Sequence, residues 1–266
     1  MEVHAHTHTE RKKWTHYLWE FLMLFLAVFC GFLAENQREH IVEQHRAKEY
    51  AKSMLSDLKE DTAELQSGIN HIDFLISAID NIVSIVSNNH DKKSLPGKFY
   101  YYCRLMSFSY PIDWNSSTLS QLIQSGNLRY FKNKELVNKI NKYYALQLNI
   151  TGHGENDAAH REKVREIRNL ILDDRFYSAF APIVFSEEVK GHVPSVLIDS
   201  LMKRQLPLQE GAVNYLPQFL NHLSDRRERF KSYTEKYYPN AKTKAGEIMK
   251  TLIDEYQLSE GTPLEK

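Results

Sequence analysis

Arg11-Lys12-Lys13-Trp14, followed by the uncharged apolar run from Phe21 to Ala34, constrains this chain more than any other stretch, because such a segment belongs in hydrocarbon. Crossing a bilayer core of roughly 30 Å takes about 20 apolar residues at about 1.5 Å each, so the run alone is too short. Tyr17, Leu18 and Trp19 extend it to a workable length if Glu20 lies near the head groups, where a carboxylate reaches water. Trp14, Tyr17 and Trp19 suit that boundary, with rings toward lipid and polar tips toward water. The lipid bilayer is therefore the first partner the sequence implies.

A cleaved secretory signal has the same basic start and an apolar stretch of this length. Its cleavage chemistry is missing. A cut after Ala34 places Phe32 three residues upstream, and one after Gly31 places Phe29 there, both too large for a small-x-small site. Cys30 follows Val28-Phe29, not the small residues of a lipoprotein signal. Arg11, Lys12 and Lys13 abut the span directly, whereas Arg38, Arg46 and Lys48 beyond it are spread among Glu35, Glu39, Glu43 and Glu49. Positive charge held inside then gives a cytoplasmic His-rich tail over residues 1–13, a transmembrane helix over 14–34 and an extracytoplasmic domain over 35–266.

The body is long enough for a sizeable core, and a hydrophobic content of 42% supplies it. Basic and acidic residues balance at 34 each with no basic stripe, so a nucleic-acid partner is not expected. With Cys30 in the span, Cys103 is the sole thiol of the body. No internal disulfide can staple it, and Cys103 reads as a small buried hydrophobe.

Ala51, Leu55, Leu58, Thr62, Leu65, Ile69, Ile72, Ile76, Ile79, Val83 and Val86 alternate steps of four and three without a miss, which predicts a heptad seam on a long helix. From Phe74 the stripe broadens through Leu75, Ile82 and Ile85, as expected inside a bundle. Asn88-Asn89 and Leu95-Pro96-Gly97 predict the helix end and a turn. Asn115-Ser116-Ser117 predicts a cap for a short helix through Leu119, Leu122 and Ile123, closed by Ser125-Gly126-Asn127. Leu136 to Leu148 predicts a helix ended by Thr151-Gly152-His153-Gly154, and Ala158 to Tyr177 a further one. Later helices run through Leu216, Phe219, Leu220 and Leu223, and through Ile248, Leu252, Ile253 and Tyr256. The best strand candidate, Pro182-Ile183-Val184-Phe185, is isolated. The expected class is all-α: an N-terminal transmembrane helix continuing into a long helix that packs in an extracytoplasmic bundle.

The block from His6-Thr7-His8-Thr9 through Arg11-Lys12-Lys13-Trp14-Thr15-His16-Tyr17 and on to Ala34-Glu35 resembles the start of an uncharacterised family of Gram-negative bacterial single-pass membrane proteins. Ser117-Thr118-Leu119, Ser125-Gly126-Asn127-Leu128 and Ile140 to Tyr144 are similar to a domain of unknown function found in such proteins. The resemblance implies an inner-membrane anchor with a periplasmic helical domain, and brings no activity, ligand or catalytic residue.

His4, His6 and His8 alternate, so an extended tail presents three imidazoles on one side, a weak metal site beside the plainer reading of a polar tail. A structural site needs a fixed fourth ligand, for which His16 is the nearest candidate. His153, Glu155, Asp157 and His160 are the densest ligand-type cluster of the body, yet their spacing matches no zinc pattern, and a solvated, acid-rich helix start explains them. Gly152-His153-Gly154 lacks the third glycine and the lysine of a phosphate loop. Arg226-Arg227 and Arg229 among Asp225 and Glu228 read as a solvated face, and the tyrosines as core and interface residues, with paired rings lining a ligand groove as the alternative.

No H-E-x-x-H, G-x-S-x-G or C-x-x-C is present, so no catalytic residue and no cofactor is expected. The leading expectation is a non-enzymatic, membrane-anchored interaction or scaffold module of the cell envelope. The alternatives are a small-ligand sensor signalling through the long helix, and an envelope enzyme using the His153–His160 cluster.

Extending the heptad backward places Ala27, Cys30, Ala34, Gln37, Ile41, Gln44 and Lys48 on one stripe, and Ala27 with Gly31 forms a small-xxx-small pair. Ala27, Gly31, Ala34 and Ile41 are thus the candidate interface, for a homodimer or an envelope protein partner. In a Cys30→Ser background, single cysteines at Gln37 or Ile41 should crosslink between subunits in membranes, and those at Glu39 or Glu43 less. Equal crosslinking at all four positions, or none, would remove the dimer.

Overall fold

Between Phe32 and Ser67 the sequence has neither glycine nor proline. The computed structural model, which describes residues 13–108, 111–180 and 196–259, accordingly carries one uninterrupted helix, α1, from Trp14 to Asn88. The described residues divide into two compact units, one ending at Ala51 and the other starting at Lys52.

In the first unit, an 18-residue stretch of α1 has a mean hydropathy of 2.0 and none of it is buried. By length and composition this helix can cross a membrane. Phe21, Phe25 and Phe29, four apart, stack along one face at 6.3 and 5.9 Å. Glu20 reaches back toward the helix start, where its carboxylate lies 3.0 Å from His16 Nε2. Ala27, Gly31, Ala34 and Ile41 are all exposed.

In the second unit, Leu55, Leu58, Leu65, Ile72, Ile79 and Val86 are buried as the seam predicts. The alternate positions are corrected by one residue: Asp61, Gly68, Leu75 and Ile82 are buried where Thr62, Ile69, Ile76 and Val83 were expected, and these four are only half-buried. The buried set from Leu58 to Val86 therefore keeps the seven-residue repeat but takes its steps as three then four, which puts the second row on the other flank of the seam.

Past α1, Ser94–Pro96 forms β1, which pairs antiparallel with β2, Gln205–Pro207, so that Leu95 faces Leu206. The expected turn at Leu95-Pro96-Gly97 is thus a strand leading into α2, Gly97–Leu105. Helix α2 packs against α6, Val196–Lys203, so closely that a Cβ on Gly97 would stand 2.0 Å from the Leu201 carbonyl oxygen. Tyr100, fully buried in α2, donates to the Pro207 carbonyl at 2.5 Å and accepts from the Asp173 amide at 3.0 Å, tying the ribbon to the single-turn α5, Asp174–Tyr177. Pro182 to Phe185 lies outside the described residues.

Helix α3, Ser117–Gln124, is followed by Gly126, whose φ of 67° favours glycine. Asn133 caps α4 by accepting from the amides of Glu135 and Leu136 at 3.0 and 3.1 Å. The break expected at Thr151 to Gly154 does not occur, because α4 runs without interruption from Lys134 to Asn169. Two glycines lower helix propensity without forbidding the helix, and neither Gly152 nor Gly154 has a positive φ. Helix α7, Leu216–Lys231, passes through a π-helical turn, Ser232–Tyr237, into α8, Tyr238–Tyr256, and both helices pack on α4. Pro239 has no amide to donate into the preceding turn, which favours the wider π turn there. The described residues are mostly helical, with the ribbon β1–β2 as their sheet.

The glycines predict opposite signs. Gly97→Ala should lose about 2–3 kcal/mol in urea unfolding, because backbone meets backbone there. Gly152→Ala, whose added Cβ meets nothing within 4 Å, should gain up to about 1 kcal/mol. Similar effects at both positions would contradict this packing.

Candidate functional site

Helix α1 presents three acids, Asp57, Glu60 and Asp61, to the start of α3. Ser116, the residue in cap position, makes no side-chain capping bond. The acceptors come instead from α1: Asp57 takes the Thr118 amide at 3.1 Å, and Asp61 takes the Asn115 amide at 2.7 Å. Glu60 takes the Asn115 side-chain amide at 2.7 Å. Carboxylates at a helix N-terminus are favoured by its dipole, so these contacts fix α3 and the segment before it on α1.

Asp61 does more than cap. Its other oxygen accepts from the Tyr143 hydroxyl at 2.8 Å and from Gln147 Nε2 at 2.9 Å, both on α4. The residue is 1% exposed. Burial raises its carboxyl above the ordinary 3.8, against the pull of the Asn115, Tyr143 and Gln147 bonds. The same burial, with the negative charge beside it, raises the Tyr143 phenol.

Trp114, next to Asn115, packs edge-on against Tyr143 at 6.3 Å and donates through Nε1 to Thr151 Oγ1 at 3.2 Å. Thr151 in turn bonds back to the Gln147 carbonyl at 3.0 Å. Trp114 thereby forms one wall of a cavity of about 340 Å³ between α1, α4 and the turn from α7 to α8. Ile72, Ile150, Phe230, Tyr233 and Tyr238 supply further apolar wall. Phe230, Tyr233 and Tyr238 are spaced three and five apart, and the π turn lets all three be buried, since in a plain α-helix the last step would turn Tyr238 away. Gly154 also lines the space, and a Cβ there would meet nothing within 4 Å. The volume lies at the lower end of the range for small-ligand pockets, which are mostly apolar with a few polar groups.

Those polar groups are charged. Asp157 lines the cavity at 8% exposure, with Arg229 Nη1 3.6 Å from its Oδ1. Arg161, one turn along α4, also lines it. Arg226 stacks over Phe230 at 4.6 Å and is 1% exposed, which corrects the expectation of a solvated arginine face. Its place follows from the stripe Leu216, Phe219, Leu223, Phe230, which continues through position 226. Arg226 Nη2 donates to the Phe108 carbonyl at 2.7 Å, while Nε and Nη1 have no partner among the described residues. Burial lowers this guanidinium to about 10, with Asp157 opposing. Arg227, beside it, pairs with Asp80 of α1 at 2.8 Å.

The sequence-predicted metal residues have separate partners. His153 stacks on Tyr237 at 5.0 Å, and His160 lies 3.4 Å from Asp225 and 3.2 Å from the His222 carbonyl. Asp157 pairs with Arg229, and it sits in mid-helix, not at the solvated helix start expected for it. Among the described residues no group of three or more His, Cys, Asp or Glu side chains is placed to hold a metal ion. His4, His6, His8 and the Glu155 side chain lie outside the described residues. Cys103 is fully buried in α2, and burial raises its thiol. Sequence reasoning missed Asp61 and Arg226, and it offered a tyrosine-lined groove only as an alternative, without placing it at Tyr233 and Tyr238.

Compared with protein families, with curated proteins and with solved structures, the chain matches none.

Asp61 carries a sign that can be worked out. With its folded value raised, the native state holds this proton more tightly than the unfolded chain. Its contribution is therefore most favourable below about pH 3.8 and is lost as pH rises through the folded value. The stability of the native protein minus that of Asp61→Asn should fall as pH climbs from about 4 to 7 in urea titrations. Asp61→Ala strands three donors and should cost about 2–4 kcal/mol at neutral pH. A pH-independent difference would contradict the raised carboxyl.

Proposed function

We propose that this chain is a non-enzymatic, membrane-anchored helical module of the cell envelope that acts by contact, as an interaction or scaffold subunit. The observation that carries this reading is α1 itself: its early part exposes an apolar surface of the length and composition of a membrane span, and its later part is the buried seam of a helical domain. A helix with those two faces ties a folded body to a bilayer. Arg11 to Lys13 before the span favour an N-terminus in the cytoplasm and a periplasmic domain, and the family resemblance of the N-terminal block supports an inner-membrane location. The exposed stripe of Ala27, Gly31, Ala34 and Ile41 offers a surface for a second copy or an envelope protein.

A second reading, a small-ligand sensor, is favoured by the cavity. Its walls include Ile72 of α1, so an occupant would touch the same helix that carries the apolar stretch. The discriminating observation is ligand-dependent change in α1 rather than binding alone.

Fusing after Lys266 a reporter that works only outside the cytoplasm should give activity, and the mature protein should keep its N-terminus. An inactive reporter with an active cytoplasmic counterpart, or a new N-terminus near Glu35, would overturn the topology.

A further inference from the structure

Two charged side chains line the cavity, Asp157 and Arg161, and only the first has a partner among the described residues. Asp157 is engaged by Arg229, and Arg229 also pairs with Asp225 at 3.3 Å. That leaves Arg226 behind Phe230 with two buried N–H groups unpartnered among the described residues, and Arg161 in the cavity wall with neither hydrogen bond nor ion pair among them. Arg161 lies close enough to Arg226 for its charge to disfavour the Arg226 guanidinium, while Asp157 acts on that group in the opposite sense. Positive charge beside a mostly apolar space is stabilised by an anion that brings its own apolar body. Arg161 is the group free to make a planar, two-pronged contact with a carboxylate, while the aromatic rings take the hydrocarbon.

With the cavity serving as the sensor's binding site, we infer that its ligand is a hydrophobic carboxylic acid, its acidic head on Arg161 and its apolar body between Trp114, Ile150, Tyr233 and Tyr238. The free acid alone is meant. A phospholipid carries two chains, too large for a space of about 340 Å³.

Trp114 is a built-in reporter. In full-length protein carrying Trp14→Phe and Trp19→Phe, held in lipid nanodiscs, decanoate should saturably shift Trp114 fluorescence. Decanol and decyltrimethylammonium, with the same tail, should bind at least about tenfold more weakly, the loss of one charge-assisted contact. Arg161→Gln, which removes no hydrogen bond or ion pair among the described residues, should bring decanoate down to the level of decanol. Gly154→Phe, filling the cavity, should abolish the response, and Ile150→Phe provides the same test should the first variant fail to fold. Equal responses to decanoate and decanol, or an Arg161→Gln variant that keeps the preference, would overturn the carboxylate ligand while leaving the sensor reading in place. No response to any of the three probes would overturn both.

Discussion

The second unit of this protein depends on one carboxylate. Asp61 accepts an amide from the segment before α3, a phenol from α4 and a side-chain amide from α4, so three stretches far apart in sequence meet at two oxygen atoms. A charge at 1% exposure is costly unless it is met by several donors, and here it is. Once Asn115 and Tyr143 are fixed, Trp114 has little choice of place, since its ring lies on Tyr143 and its N–H on Thr151. The cavity wall is thus a consequence of the buried acid.

The opposite walls come from local departures from ideal helix. Gly154 gives up about 1 kcal/mol of helix propensity relative to alanine and leaves space. The π turn gives up regular hydrogen bonding and turns Tyr238 inward beside Tyr233. Both departures border the same cavity, and a buried arginine that keeps two donors unpaired among the described residues stacks on its wall residue Phe230. Chains break local rules where a site needs the room, and elsewhere α4, α7 and α8 keep them.

Much of the fold was legible because apolar spacing is a strong signal: Leu58, Leu65, Ile72, Ile79 and Val86 are buried where their periodicity places them. The same method preferred Thr62 to Asp61, since hydropathy ranks a threonine above an acid and cannot see a phenol and an amide waiting 82 and 86 residues away. Arg226 was misread for the same reason, although Leu216, Phe219, Leu223 and Phe230 bracket it on a buried stripe. Thr151 to Gly154 looked like a turn by composition, but packing on α7 and α8 outweighs propensity in α4. The strands β1 and β2 are three residues each, too short for a period to register.

One helix, α1, carries both the apolar stretch and the seam of the second unit, and amide hydrogen exchange of the full-length protein in lipid nanodiscs tests its continuity most directly. Slow exchange should extend without a gap from Phe32 through Ser67, since neither glycine nor proline interrupts the helix over that stretch. A fast-exchanging window between Glu35 and Ala51, bounded by protected segments, would break α1 in two and contradict the account.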